Sequence, residues 1–186
     1  MKPGSELNYR MRDRETGMYF LIDANRINAR RSLPNMNRID KWHDDGVIGL
    51  HMPDVAHDEA KAGHNVNRSR KASRTVYTLS YPHEHGAREM QAQIAAILFP
   101  GGCRSQNERN DVLIVYNAWR HSPYPLITAD GDILQKRDEL TRFGIRVMTD
   151  AEAVALVKER IRERDDEARA DAAWSGEPLP SWVGND

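Results

Sequence analysis

Asp23, Glu59, Asp111 and Asp130 are the acids whose surroundings in the sequence mark them for chemistry. Asp23 closes the apolar run Met18-Tyr19-Phe20-Leu21-Ile22, which reads as a buried strand stopping at a polar site. Asp130 repeats that arrangement after Pro125-Leu126-Ile127-Thr128-Ala129. Asp111 shares a helical face with Ile114, Val115 and Ala118. A carboxylate on a core-facing stripe is costly to desolvate unless a cation or an Arg neutralises it. Glu59 falls with Val55 and Ala56 on one side of a helix, with Asp54 and Asp58 as neighbours able to substitute. Four carboxylates facing one pocket repel, which predicts raised pKa values or bound cations. Hard oxygen ligands suit Mg²⁺ or Mn²⁺ rather than zinc. Such ions acidify water and stabilise charge on a phosphodiester. Composition and spacing lead to a metal-dependent phosphoryl-chemistry site and no further.

The elements that must position these acids alternate between strand and helix. Residues 1–17 read as a polar leader. After the first strand comes a basic loop with Arg26, Arg30 and Arg31, and a helix opens at Pro34 with Met36, Ile39 and Trp42 on its apolar side. Asp45-Gly46 ends it, and Val47 to Met52 form a second strand. Pro53 starts the helix that carries Glu59. Residues 61–84 are irregular and basic, with Lys61, Arg68, Arg70, Lys71 and Arg74 and no acid between Ala60 and His83. A short strand at Val76–Leu79 and a helix from about Gly86 to Phe99 follow.

Ser105 and Glu108 make a capping box, so the helix carrying Asp111 starts there. Pro125–Thr128 is a strand, a helix runs from about Ile133 to Phe143, and Gly144 suits its C′ position. Ile145–Met148 is the last strand. Thr149 and Glu152 form a second capping box, opening a helix to about Ala170 whose charged later turns read as solvated. The tail with Trp174 and Trp182 reads as irregular. The pattern predicts α/β architecture with a mostly parallel central sheet and helices on both faces. In such a sheet the acids meet beyond the carboxyl ends of the strands.

The bulk properties narrow the class. The 186 residues fit one domain with one core, and a net charge of −1 gives no global bias towards nucleic acid. Local charge does: the basic loops at 26–31 and 61–74 suit a nucleic-acid backbone. The single Cys103 fits a reducing, cytoplasmic setting. No signal peptide is evident, and no apolar run approaches the ~20 residues that cross a bilayer.

The ordered motifs resemble the PIN domain family of metal-dependent nucleases. They are Phe20-Leu21-Ile22-Asp23-Ala24-Asn25, His57-Asp58-Glu59-Ala60, Asn110-Asp111-Val112-Leu113-Ile114 and Leu126-Ile127-Thr128-Ala129-Asp130-Gly131-Asp132, closed by Gly144-Ile145-Arg146-Val147-Met148. The resemblance spans residues 18–157 and leaves 158–186 as a charged helix end and tail. It implies a three-layer α/β/α fold, Mg²⁺ or Mn²⁺, and cleavage of RNA. It also implies that Asp23, Glu59, Asp111 and Asp130 are the metal-binding carboxylates, with Asp132 auxiliary and Asn25 a supporting polar residue beside the nucleic acid. A toxin–antitoxin role, an antitoxin-like partner and a homodimer belong to the same family expectation. The basic segment 61–84 and the charged C-terminal part depart from its compact toxin-type members.

Plainer readings stand beside these. Asp23 can cap the following turn, Asp130 can be a turn residue in Asp-Gly-Asp, Asp132 can be a helix N-cap, and a surface Glu59 is ordinary. His83-Glu84-His85 reads as a solvated loop, and the Trp residues of the tail as packed on the domain's own surface. The rivals are a catalytically degenerate module binding RNA or a protein, and a phospho-acceptor domain of the receiver or haloacid-dehalogenase type. No acid pair precedes Asp23 and the late strand carries Arg146 rather than Lys, which disfavours a receiver.

Overall fold

A computed structural model describes residues 14–27, 31–62, 66, 67, 69, 70, 77–79 and 86–186. The expectations for Arg30, Arg68, Lys71, Arg74, His83-Glu84-His85 and most of the leader lie outside these residues.

The sheet is parallel throughout. Its strands are β1 (Met18–Ile22), β2 (Ile48–Pro53), β3 (Tyr77–Leu79), β4 (Leu126–Ile127) and β5 (Val147–Met148), in the order β3-β2-β1-β4-β5. Among the described residues run the helices α1 (Pro34–Asp44), α2 (Asp54–Ala62), α3 (Ala87–Leu98), α4 (Gln106–Arg120), α5 (Gly131–Gln135), α6 (Arg137–Thr141) and α7 (Asp150–Ser175), and a 3-10 turn at Ala24–Arg26. They cover both faces of the sheet, giving three α/β/α layers. Burial on both faces is why β1 reads as a continuous apolar run: Phe20, Leu21 and Ile22 are all buried. α1 packs on α7, and α4 packs on both α2 and α3.

β1 lies at the centre, and the order of connection reverses beside it. The chain moves outward from β1 to β2 and β3, then crosses to β4 and β5 on the other side. The crevice between the carboxyl ends of β1 and β4 is therefore the switch point where ligands of such sheets bind. Register brings Ile22 opposite Ile127, so Asp23 and Thr128 leave the sheet side by side.

Several local signals act as expected. Both capping boxes are complete: Ser105 and Thr149 accept from the amides of Glu108 and Glu152. Several points differ, and one is Trp174, which lies in the last turn of α7 and is 91 % exposed rather than packed on the domain's own surface. The helix expected over 133–143 is two short helices broken at Lys136. Its first N-cap is Asp130, not Asp132, because Asp130 Oδ1 accepts from the amides of Asp132 and Ile133 at 2.8 and 3.0 Å. The far half of α7 is not simply solvated, since Arg164 and Asp165 are only 7 % and 5 % exposed. Among the described residues no helix is long and apolar enough to cross a membrane.

Gly49 on β2 sits in register with Tyr19, whose ring stacks on Tyr124 at 5.2 Å and on His51 at 5.8 Å. A Cβ at Gly49 would lie 2.7 Å from Tyr19 Cε1 and closer still to Cδ1. The ring is held on both sides, and its hydroxyl donates to Glu15 Oε1. Gly49→Ala is therefore expected to destabilise the fold by about 1–3 kcal/mol. Urea unfolding checks this, and an unchanged midpoint would show that the stack yields easily.

Candidate active site

Each of the four acids arrives from a different element. Asp23 stands one residue past β1, with its amide still in the ladder to Ile127 O at 3.0 Å. It is 3 % exposed. Its Oδ2 accepts from Asn25 Nδ2 at 2.6 Å and from Thr128 Oγ1 at 2.7 Å. Thr128 is fully buried and in turn accepts from the amide of Asp130 at 2.9 Å. Asn25 Oδ1 accepts from the amide of Ala129 at 3.1 Å, which ties the ends of β1 and β4 together. Asn25, expected beside the nucleic acid, is thus a direct partner of Asp23. The sequence alone gives no part to Thr128 or to the Asn25 link to Ala129, although Thr128 stands in the strand motif itself.

Asp111 lies in the second turn of α4. Every influence on its charge is unfavourable. Burial comes first, followed by Asp130, Asp23, Glu59 and Asp132, and together they push its carboxyl up to about 7. Burial also raises Asp23, with Glu59 and Asp130 adding to it, while the bonds from Thr128 and Asn25 act the other way. The five acids singled out in the sequence therefore share one electrostatic field. Glu59, half-buried on α2, accepts from Asn110 Nδ2 at 2.6 Å.

The set has the donor chemistry of a hard-cation site. Asp23, Glu59 and Asp130 each commit one oxygen to a local donor, and the second oxygen is the one a cation would take. Their present disposition is looser than a formed metal centre. Among the described residues no three His, Cys, Asp or Glu side chains are arranged to hold an ion as they stand. A carboxylate reorients about its side-chain bonds, whereas its burial on fixed elements persists.

The basic residues fall into different situations. Arg26 is mostly covered, its Nε donating to Asn25 O and Oδ1 at 3.1 Å, and it pairs with Asp150 at 3.4 Å. Arg31 and Arg70 are exposed. Beside Glu59, between α2 and α4, runs a cleft of about 460 Å³ lined by residues including Asp58, Gln106 and Leu113.

No family model matches the chain, and no curated protein matches it.

The raised Asp111 carboxyl has a consequence for stability. Its folded pKa of about 7 exceeds the ordinary 3.8, so the folded state holds the proton more tightly. That contribution is complete below the unfolded value and is lost as pH rises through about 7. In metal-free buffer, Asp111→Asn is expected to melt roughly 2–4 °C above the wild type near pH 8, for an effect of about 1 kcal/mol. The gap should close in mild acid. Thermal melts across pH check this, and a constant gap would show that Asp111 does not titrate as described.

Proposed function

We propose that this protein is a PIN-like, metal-dependent endoribonuclease. The observation that carries the reading is the pair Asp23 and Asp130, tied together through Thr128 and Asn25 at the switch point of the sheet, with Asp111, Glu59 and Asp132 near enough to oppose one another's charge. A fold gains nothing from assembling like charges that burial already penalises. A site that binds cations and a phosphodiester does. Asp23, Glu59, Asp111 and Asp130 would hold Mg²⁺ or Mn²⁺, with Asp132 nearby. The bound ions supply charge neutralisation at the phosphate and acidify attacking water.

The chain's own residues do the rest. Thr128 and Asn25 fix the orientation of Asp23, and the amide of Ala129 anchors Asn25. Arg26 stands beside Asn25 and could exchange its Asp150 partner for a phosphate, an interaction of the same charge type. Exposed Arg31 and Arg70 suit the strand farther out. A neutralising protein partner and a homodimer belong to the same reading.

Calorimetry with Mn²⁺ and Mg²⁺ on the wild type and on the Asp23→Asn/Asp111→Asn protein tests the site. Divalent binding that vanishes in the double variant, with cleavage of single-stranded RNA that stops in chelator, supports the proposal. The looser disposition of the acids favours one alternative, a degenerate module that binds RNA or a protein without cutting. RNA binding undiminished by chelator, with no cleavage in either metal, would decide for it.

A further inference from the structure

Glu59 comes from α2 and owes its orientation to α4. Asn110 Nδ2 donates to Glu59 Oε1 at 2.6 Å, Asn110 Oδ1 accepts from Gln106 Nε2 at 2.9 Å, and Gln106 Oε1 accepts from Arg109 Nε at 3.2 Å. A carboxylate cannot donate, so the amide nitrogen of Asn110 must face Glu59 and its oxygen must face Gln106. Arg109 only donates, which fixes Gln106 in the same sense. The relay has one polarity, with each donor directed towards Glu59 and a guanidinium at its far end. Linked bonds of this kind polarise one another. Asn110 also precedes Asp111, so one turn of α4 carries an acid of the site and the group that orients a second acid.

Resting on the metal-dependent reading above, we propose that Asn110 is a positioning residue for Glu59, backed by Gln106 and Arg109. It holds the carboxylate by one oxygen and presents the other to the divalent cation. Without it Glu59 would be ordered only on binding the ion. Partners that orient metal ligands in this way are worth about 10- to 100-fold in affinity.

The test is Mn²⁺ calorimetry on the full chain carrying Asn110→Ala, Glu59→Gln, or both, alongside the wild type. Asn110→Ala is expected to weaken Mn²⁺ binding about tenfold or more. In the Glu59→Gln background it should have no further effect, because its action passes through Glu59. Gln106→Ala, at an exposed position, should weaken binding by a smaller factor with an unchanged melting temperature. Mn²⁺ binding that is the same with and without Asn110 overturns the proposal and leaves the metal reading standing. So does a loss that persists in full when Glu59 is Gln. Should Asn110→Ala fail to fold, an unchanged affinity in Gln106→Ala overturns it. A wild type that binds no Mn²⁺ removes the metal reading itself, and the proposal with it.

Discussion

Asp111→Asn is expected to reduce RNA cleavage by about three orders of magnitude, equivalent to about 4 kcal/mol of barrier, while leaving the fold intact or slightly firmer. The two halves of this result have one cause. Asp111 is half-buried on the inner side of α4 and surrounded by Asp130, Asp23, Glu59 and Asp132, all of which oppose its charge. Neutralising it relieves repulsion in the metal-free protein and, on the proposed reading, would take one ligand from the cation. A residue kept for packing behaves otherwise, losing stability and activity together. Asp23→Asn should lower turnover similarly, with a small stability loss from the altered bonds to Asn25 and Thr128. Single-turnover cleavage of a labelled RNA, with melting curves on the same preparations, measures both quantities. If Asp111→Asn cuts RNA at the wild-type rate, the assignment of this acid is wrong.

Arg164→Ala is expected to break a buried ion-pair network, costing about 3–5 kcal/mol, or roughly 6–20 °C in melting temperature. Arg164 Nη2 donates to Asp165 Oδ1 at 2.6 Å and to Asp186 Oδ2 at 2.8 Å, and Nη1 donates to Arg14 O at 2.5 Å. Its guanidinium lies 4.4 Å above the ring of Trp182. Arg14 also pairs with Asp186, and the amide of Gly184 donates to Asp165 Oδ2 at 2.8 Å. Burial raises the Asp186 carboxyl, but the bonds from Arg14 and Arg164 outweigh it and hold it below the usual range. That part of the stability is present at neutral pH and fades in acid. Without Arg164, Asp165 keeps its buried charge with no guanidinium beside it. The network clamps residues 14–16 and the tail onto α7 at the end of the sheet away from the acids. Cleavage per folded molecule should therefore be unchanged. Tail release is read from Trp182 fluorescence and limited proteolysis, and a melting shift under about 2 °C would mark the network as marginal.

The local grammar of the chain was legible without coordinates. A strand-then-acid pattern located Asp23 and Asp130, Ser105 with Glu108 and Thr149 with Glu152 marked two helix starts, and Pro34 marked a third. These signals work because caps, turns and helical faces are settled by groups within about four residues of one another. Alternating elements likewise implied a parallel sheet covered on both faces, since parallel strands need crossovers and crossovers carry helices.

Other features depended on where distant segments meet. Ile133 to Phe143 reads as one helix, but the structure has two that are broken at Lys136, and Asp130 takes the cap expected of Asp132. The charged end of α7 could read as solvated, because no local pattern announces that Arg14, Trp182 and Asp186 will return to cover Arg164 and Asp165. Asn110 carried no signal of its own, since its partner lies 51 residues earlier on another helix. From its own residues the sequence determined which acids could act and which elements would carry them. The tertiary structure decided that β1 and β4 are neighbours at a switch point, that the acids' fields meet at Asp111, and which amide steadies Glu59. Strand order, burial and long-range hydrogen bonds follow from how whole faces pack, and no short window of sequence contains that information.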